Sequence, residues 1–376
     1  MRTMIKPGYK RLGDYIEPLD ERNSTLSVKL SQGICNNKYF ITPRQVAENS
    51  ANDKIVRTGQ FAYNRATTRN GDKISIAYRE GPDCTVSSAY QVFRIKDENL
   101  LNPHYLWMWF RRPEFDRYAR FKSRGSAHEF FEWDEMCEVY LPVPGIEEQL
   151  RIVSEYHAVE ERIDSNERLI AKLDETIQAI YKKMFVDDID PENLPVGWTM
   201  GRLSDIAHYV KNKVETDSLS LDNYLSTENM LKDRGGVTAA SAIPAGRCTQ
   251  FVKGNVLVSN IRPYFKKIWL ATFDGGCSND VLCFAANRGF EPEFVYSAIV
   301  KDDFFDYVMA GSNGVKMPRG DKEWIMNYPV CVPSEELISD YNRKVTTILN
   351  YKNNLVEEKA RLKCLKELIG TRISQQ

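Results

Sequence analysis

The sequence predicts an α+β chain built from two similar α/β domains, each followed by a long helix, with the two helices pairing as an antiparallel coiled coil. Three observations predict it. Short motifs recur in the same order at an offset of 189 to 195 positions. Each set closes on an apolar–proline segment, and a heptad pattern of apolar residues follows each closure.

The composition suits packed domains: of 376 residues, 42% are hydrophobic and 11% aromatic, which excludes the low-hydrophobicity signature of disorder. The net charge of −1 hides a segmental pattern. Residues 1–145 carry 22 Lys/Arg against 18 Asp/Glu, and residues 146–190 carry 6 against 12. Residues 191–333 carry 15 against 16, and residues 334–376 carry 8 against 6. These four segments are the expected organisation: first domain, helical spacer, second domain and C-terminal helical region. A mildly basic domain beside an acidic spacer leaves room for local patches that face nucleic acid. The opening residues hold no apolar stretch of signal-peptide type, and no run approaches membrane-spanning length, so the expectation is a cytoplasmic protein without a membrane partner.

The first domain opens with Arg11-Leu12-Gly13-Asp14, which returns as Arg202-Leu203-Ser204-Asp205. Next come Gly59-Gln-Phe-Ala-Tyr-Asn-Arg65 and Gly254-Asn-Val-Leu-Val-Ser-Asn-Ile-Arg262. A glycine followed by alternating apolar residues (Val256, Val258) predicts a turn entering a half-buried strand. Ser87 to Phe93 matches Ser278 to Phe284, and Pro103, Phe115, Tyr118 and Gly125 match Pro292, Phe304, Tyr307 and Gly314. Pro103 and Pro292 each precede an aromatic-rich stretch of helical spacing, which places a helix start there. Trp107, Trp109, Phe110, Phe304 and Phe305 are expected in the core. The copies end in Leu141-Pro-Val-Pro144 and Val330-Cys-Val-Pro333.

After the first copy, Ile163, Ile170, Ile177 and Met184 stand seven apart, with Leu173 and Ile180 three residues behind two of them. This is an a/d seam with Asn166 at one d position. After the second copy, Ile348, Leu355, Leu362 and Ile369 repeat the spacing, with Leu365 at d and Glu358 weakening the seam. Such helices can dock on their own domains or pair with each other. One intervening domain makes antiparallel pairing the simplest arrangement. Pro191, Pro195 and Gly197 end the first helix and open the second domain.

The order domain, helix, domain, helix resembles the specificity subunit of type I restriction–modification enzymes. The stretches that carry the resemblance are Leu141-Pro-Val-Pro-Gly-Ile-Glu-Glu-Gln-Leu-Arg-Ile-Val153, leading into a heptad helix, and Gly197-Trp198 with Arg202-Leu203-Ser204-Asp205. The second copy departs from it, with Pro333-Ser-Glu-Glu-Leu-Ile338 and no glutamine, and the first domain has Tyr9 where the second has Trp198. The resemblance implies a non-catalytic subunit that binds double-stranded DNA at a split target, one half-site per target-recognition domain. It also implies two methyltransferase subunits and, for cleavage, restriction subunits as partners. S-adenosylmethionine and ATP/Mg would sit on those partners, and no cofactor or metal on this chain.

The residues themselves offer little catalytic chemistry. Asn102-Pro-His-Tyr105 approaches the Asn-Pro-Pro-Tyr motif of adenine methyltransferases, but its third position differs and no glycine-rich loop precedes it. The second copy reads Glu291-Pro-Glu-Phe294 at that point, and a helix start explains both. No GxxxxGK[ST], GxSxG or HExxH occurs. Eight cysteines are scattered without a CxxC and read as small buried hydrophobes. A stand-alone nuclease with duplicated domains and a coiled-coil scaffold are the rival readings.

Sequence readout needs base-edge donors and acceptors supported by cations on phosphates. Matching loops supply both. The first domain offers Asn64, Arg65, Thr67, Thr68, Arg69, Asn70 and Lys73, then Lys122, Arg124, Ser126 and His128. The second offers Asn260, Arg262, Tyr264, Lys266 and Lys267, then Ser312, Asn313, Lys316 and Arg319.

Overall fold

Two antiparallel sheets of the same strand order carry the two halves of the chain. The computed structural model describes residues 8–43, 50–67, 73–123, 129–187, 189–190 and 192–373. Gly125 and Pro191 lie outside the described residues. The chain separates into two compact units, Met1–Ser165 with Lys359–Gln376, and Asn166–Glu358.

In the first unit the sheet runs Ile16–Leu19, Tyr90–Ile95, Phe61–Asn64, Ile76–Tyr78. In the second it runs Ala207–Tyr209, Val281–Ala286, Val256–Ser259, Ile268–Leu270. An opening strand pairs with a closing one in both: Tyr9–Arg11 with Tyr140–Pro142, and Thr199–Arg202 with Pro329–Val332. The motif repeat is thus a repeat of topology. The second unit adds a four-stranded sheet, Lys213–Glu215, Arg247–Phe251, Gly275–Cys277, Tyr224–Leu225. At the corresponding place the first unit pairs Lys54–Val56 with Cys84–Val86.

The turn glycines ahead of the inner strands do what the sequence asks of them: Gly59 and Gly254 hold φ of 89° and 90°, which a Cβ would strain. The strand after Gly254, expected to be half-buried, is buried along its whole length. Val256 and Val258 face the helices, while Leu257 packs with Phe251 and Cys277 of the added sheet. A strand covered on both faces loses the solvent side that alternation presumes.

Helices α1 (Pro103–Phe110), α2 (Pro113–Lys122) and α3 (Trp133–Cys137) cover the first sheet, and α4 (Ile146–Phe185) follows. The second copy has α5 (Leu203–Ile206), α6 (Pro292–Ile299), α7 (Asp302–Ala310) and α8 (Lys322–Met326), then α9 (Glu335–Arg372). Proline opens α1 and α6, where its missing N–H costs no hydrogen bond. Asn102 is the N-cap of α1: its Oδ1 accepts from the His104 and Tyr105 N–H groups at 2.9 and 3.1 Å. Trp109, Phe110, Phe304 and Phe305 are buried, and Trp107 packs half-buried against the same core.

The long helices both dock on a domain and pair. In the first unit Ile152, Tyr156 and Ile163 of α4 join a core with Ile369 and Ile373 after α1 and the sheet, and Glu160 meets Lys366 at 2.6 Å. In the second unit Ile177, Tyr181 and Phe185 join Ile338, Tyr341, Val345 and Leu349, and Asp174 pairs with Lys352. Higher numbers on α4 meet lower numbers on α9, so the pairing is antiparallel. Asn166, buried, donates to Glu358 at 3.1 Å. Ile163, Ile177, Leu355 and Ile369 are buried at the seam. Ile170, Leu173, Ile180, Met184, Ile348 and Leu362 are partly buried. Leu365 is not a seam residue: its exposure is 44%. The companion row on α9 is instead Val345, Lys352, Lys359 and Lys366, three before each a position and not three after. Of the cysteines, Cys84, Cys248, Cys277 and Cys283 are buried, but Cys364 is exposed on α9. Among the described residues, no helix is long and apolar enough to cross a membrane.

Candidate nucleic-acid interface

In each unit the backbone draws the two nominated loops together. In the first, Ala66 bridges antiparallel to Phe130. The Thr67 N–H donates to the Glu129 carbonyl at 3.0 Å, and the Phe131 N–H to the Arg65 carbonyl at 2.9 Å. The far end of the first loop is held by Asp116 of α2, whose carboxylate accepts from the Ile74 N–H at 3.2 Å and pairs with Lys38 at 2.7 Å. Burial lowers the pKa of the Lys38 ammonium, and Asp116 opposes that fall. Lys38 was invisible as a site element because its partner lies 78 positions away (116 − 38).

Over this base, Asn64 ends its strand and accepts from the Ala66 N–H at 3.1 Å. Arg65 is half exposed, donating to the Ala89 carbonyl at 3.2 Å and facing Glu132 at 3.5 Å. Thr67 is buried and its hydroxyl donates to the Glu129 carbonyl, so it serves the loop's own structure. Lys73 is exposed. Lys122, at the end of α2, pairs with Glu135 at 3.1 Å. Thr68, Arg69, Asn70, Arg124, Ser126 and His128 lie outside the described residues.

The second unit repeats the device. Ile261 bridges antiparallel to Arg319, the Arg262 N–H donates to the Pro318 carbonyl at 2.8 Å, and the Gly320 N–H to the Asn260 carbonyl at 3.3 Å. A short hairpin, Ser312–Asn313 against Arg319–Gly320, carries Lys316 exposed at its tip. Arg319 reaches Asp280 at 3.3 Å and stays mostly exposed. Arg262 takes a left-handed backbone, φ 50° and ψ 66°. Its Nε and the Oδ1 of Asn260 are buried and have no hydrogen-bond partner. Tyr264 is exposed beside Phe265. Lys266, Lys267 and Ser312 are engaged within the protein: Lys266 pairs with Asp302 at 2.9 Å, Lys267 donates to the Thr227 carbonyl at 2.5 Å, and Ser312 to the Met309 carbonyl at 2.8 Å. Burial lowers the pKa of Lys267, and neighbouring Lys232 adds to that.

No family model matches the chain. A search of known proteins finds the type I restriction enzyme EcoDI specificity subunit of Escherichia coli, 24% identical over 151 residues. That stretch is 40% of this chain and 31% of the relative, so the sequence match spans about a third of that protein. Among solved structures, the type I restriction–modification S subunit from M. genitalium superposes over 100% of this chain and 97% of its own, with a TM-score of 0.58 at 13% identity. The chain has the fold of a type I specificity subunit.

In this specificity-subunit fold, one cationic feature lies outside all four nominated loops. Lys211, Lys213 and Lys322 line a cavity of about 310 Å³ in the second unit with Thr249 and Asn279. Lys213 donates to Thr249 at 3.0 Å and to Asn279 at 3.4 Å. Asn279 precedes Asp280, the residue whose carboxylate holds Arg319. The signal for it was present as Lys211-Asn-Lys213 just after the repeated opening motif, but the first copy has no matching pair.

Proposed function

We propose that this chain is the non-catalytic DNA-recognition subunit of a type I restriction–modification complex, with each unit reading one half of a bipartite double-stranded target. One observation carries the reading: both units pair the same two loops at one backbone bridge, Ala66 with Phe130 and Ile261 with Arg319. Arg65 stands beside one such bridge, with Lys73 exposed at the far end of its loop, and Arg262 and Arg319 stand at the other, with Lys316 at the hairpin tip. Two loops joined at their bases present donors at a fixed spacing, which reading base edges requires. At the second site the unpartnered Arg262 Nε and Asn260 Oδ1 offer a donor and an acceptor already stripped of water, and such groups are costly until a ligand satisfies them.

In this reading the paired helices are the spacer and the scaffold on which two methyltransferase subunits and the restriction subunits dock. S-adenosylmethionine and ATP with magnesium then belong to those partners. The chain works in the cytoplasm, where its DNA is. The deciding experiment maps methylated adenines in DNA from cells carrying this chain and its cognate methyltransferase. A two-part motif that changes when the 260–267 and 311–319 loops are exchanged for those of another such subunit supports the proposal. A motif indifferent to that exchange rejects it.

A further inference from the structure

The two copies differ where the last helix begins. In the first unit, Gln149 of α4 is fully buried and plugs the junction between helix and domain. Its Oε1 accepts from the Asn102 N–H at 2.8 Å, and its Nε2 donates to the carbonyls of Leu100 and Pro144 at 2.9 and 2.8 Å. In the second unit the matching position, 189 residues on, is Ile338, which can make none of these bonds. A cavity of about 480 Å³ stands there, between the first turns of α6 and α9.

The cavity is chemically distinctive. Glu291, Glu293 and Glu335 line it. So does Asn342, which is only 8% exposed and whose Oδ1 and Nδ2 are both buried without a partner. The first copy has Val153 at the matching position, so the amide is particular to this cavity. The charge balance can be counted. The N-termini of α6 and α9 contribute roughly half a positive charge each. Arg343 at the rim shares the one carboxylate of Asp340 with Lys344, each at 2.6 Å, so its charge stays in the count. Three carboxylates therefore leave an excess of about one negative charge.

We propose that this cavity binds an organic cation, a guanidinium or ammonium group, brought by an arginine or lysine of a partner protein or by a free small molecule. The carboxylates accept its N–H groups, and the Asn342 Oδ1 takes one more. The Asn342 Nδ2 donates to a carbonyl next to the cation, which a peptide supplies. Among the described residues, no three metal-ligating side chains gather in one place, so the chemistry suits an extended hydrogen-bonding cation over a metal ion. Burial raises the pKa of the Glu293 carboxyl, and neighbouring Glu291 raises it further, a penalty that a bound cation would relieve. The inference stands apart from DNA reading, since it concerns the helix-junction end of the unit.

The test is calorimetric titration of the full chain with three probes: N-acetyl-arginine amide, the uncharged N-acetyl-citrulline amide, and spermidine. Saturable binding of a cation is expected, with the citrulline probe at least tenfold weaker than the arginine probe. Glu293→Gln and Asn342→Leu should each weaken the cation at least tenfold. Asn342→Leu should also raise the melting temperature, because it removes an unpartnered buried amide. Tighter binding of the arginine probe assigns the site to a protein side chain, and tighter binding of spermidine to a free cation. No saturable binding of either cation, equal binding of the citrulline probe, or binding unaffected by Glu293→Gln overturns the proposal. The last arm holds even if Asn342→Leu fails to fold.

Discussion

Arg262 combines a left-handed backbone with an unpartnered guanidinium nitrogen, and an L-residue in that conformation costs about 1–2 kcal/mol. Arg262→Gly should therefore match or exceed the parent in melting temperature. Both Arg262→Gly and Arg262→Ala should weaken DNA binding by about 1–3 kcal/mol and relax preference at one position, if the arginine contacts a base. An arginine on phosphate would instead give uniform weakening and a shallower salt dependence. Filter binding against single-base target variants separates the two. The loop's chemistry was legible, since Asn260 and Arg262 stand in a turn-rich run. The strained φ and the missing partners were not, because they arise only when the hairpin from Ser312 to Gly320 closes over the loop. In the first unit the pairing with Glu129 explains Thr67, which reads as a surface hydroxyl but sits inside the loop's own pairing. Glu160 makes a second residue-scale case. Burial alone would raise its carboxyl, but Lys366 and Arg111 outweigh it and hold its pKa below the ordinary value. A depressed folded-state pKa adds stability above the unfolded value and loses it as pH falls through the folded one. Thermal melts from pH 5 down to pH 3 should show a smaller loss of melting temperature in Glu160→Gln than in the parent.

At the scale of the element, α4 was readable because its seam is apolar at nearly every position, and α9 was only half readable. Its a row, Ile348 to Ile369, is apolar. Its second row runs Val345, Lys352, Lys359 and Lys366, and lysine at seam positions hides the period. Leu365 is apolar and three behind Leu362, so it wins on pattern alone. The deciding fact is tertiary: Asp174 and Glu160 on the facing helix receive Lys352 and Lys366, and long lysine stems can cover apolar surface while their heads are paired. Leu365→Gln should therefore stay within about 0.5 kcal/mol of the parent. Leu355→Ala, at a site 3% exposed, should cost about 2–5 kcal/mol. Equal effects from the two would restore Leu365 to the seam. The Asn166–Glu358 layer should behave differently again. Asn166→Leu alone removes the hydrogen bond that the buried Asn166 amide gives the half-buried Glu358 carboxylate and should lower the melting temperature. Replacing both residues with leucine should recover or exceed the parent, as apolar substitution of buried polar pairs often does.

For the whole molecule, the duplication was legible because motif order survives where motif identity does not. The sheet of the second domain that widens the Lys54–Val56 and Cys84–Val86 pair was not, since its outer strands, Lys213–Glu215 and Tyr224–Leu225, have no paired counterpart there. If each unit reads a half-site, the gap between half-sites is set by the helices that intervene. At 1.5 Å per residue, the 40 residues of α4 span about 60 Å. Domains reading the same face of a duplex sit about 34 Å apart, or a multiple of that. One turn can thus be bridged with helix left over; within each unit part of α4 is taken up in a core, Ile152 and Tyr156 in the first and Tyr181 and Phe185 in the second. Inserting one heptad at facing positions of α4 and α9 keeps both seams in phase and lengthens the pair by about 10 Å. At about 3.4 Å per base pair, the preferred gap should grow by roughly three base pairs. Affinity should fall as well, because three base pairs turn the second half-site away from the face its domain presents. Binding of the insertion variant to targets with graded gaps reads both effects at once. An optimum that stays at the parental gap would mean that something other than these helices sets the distance.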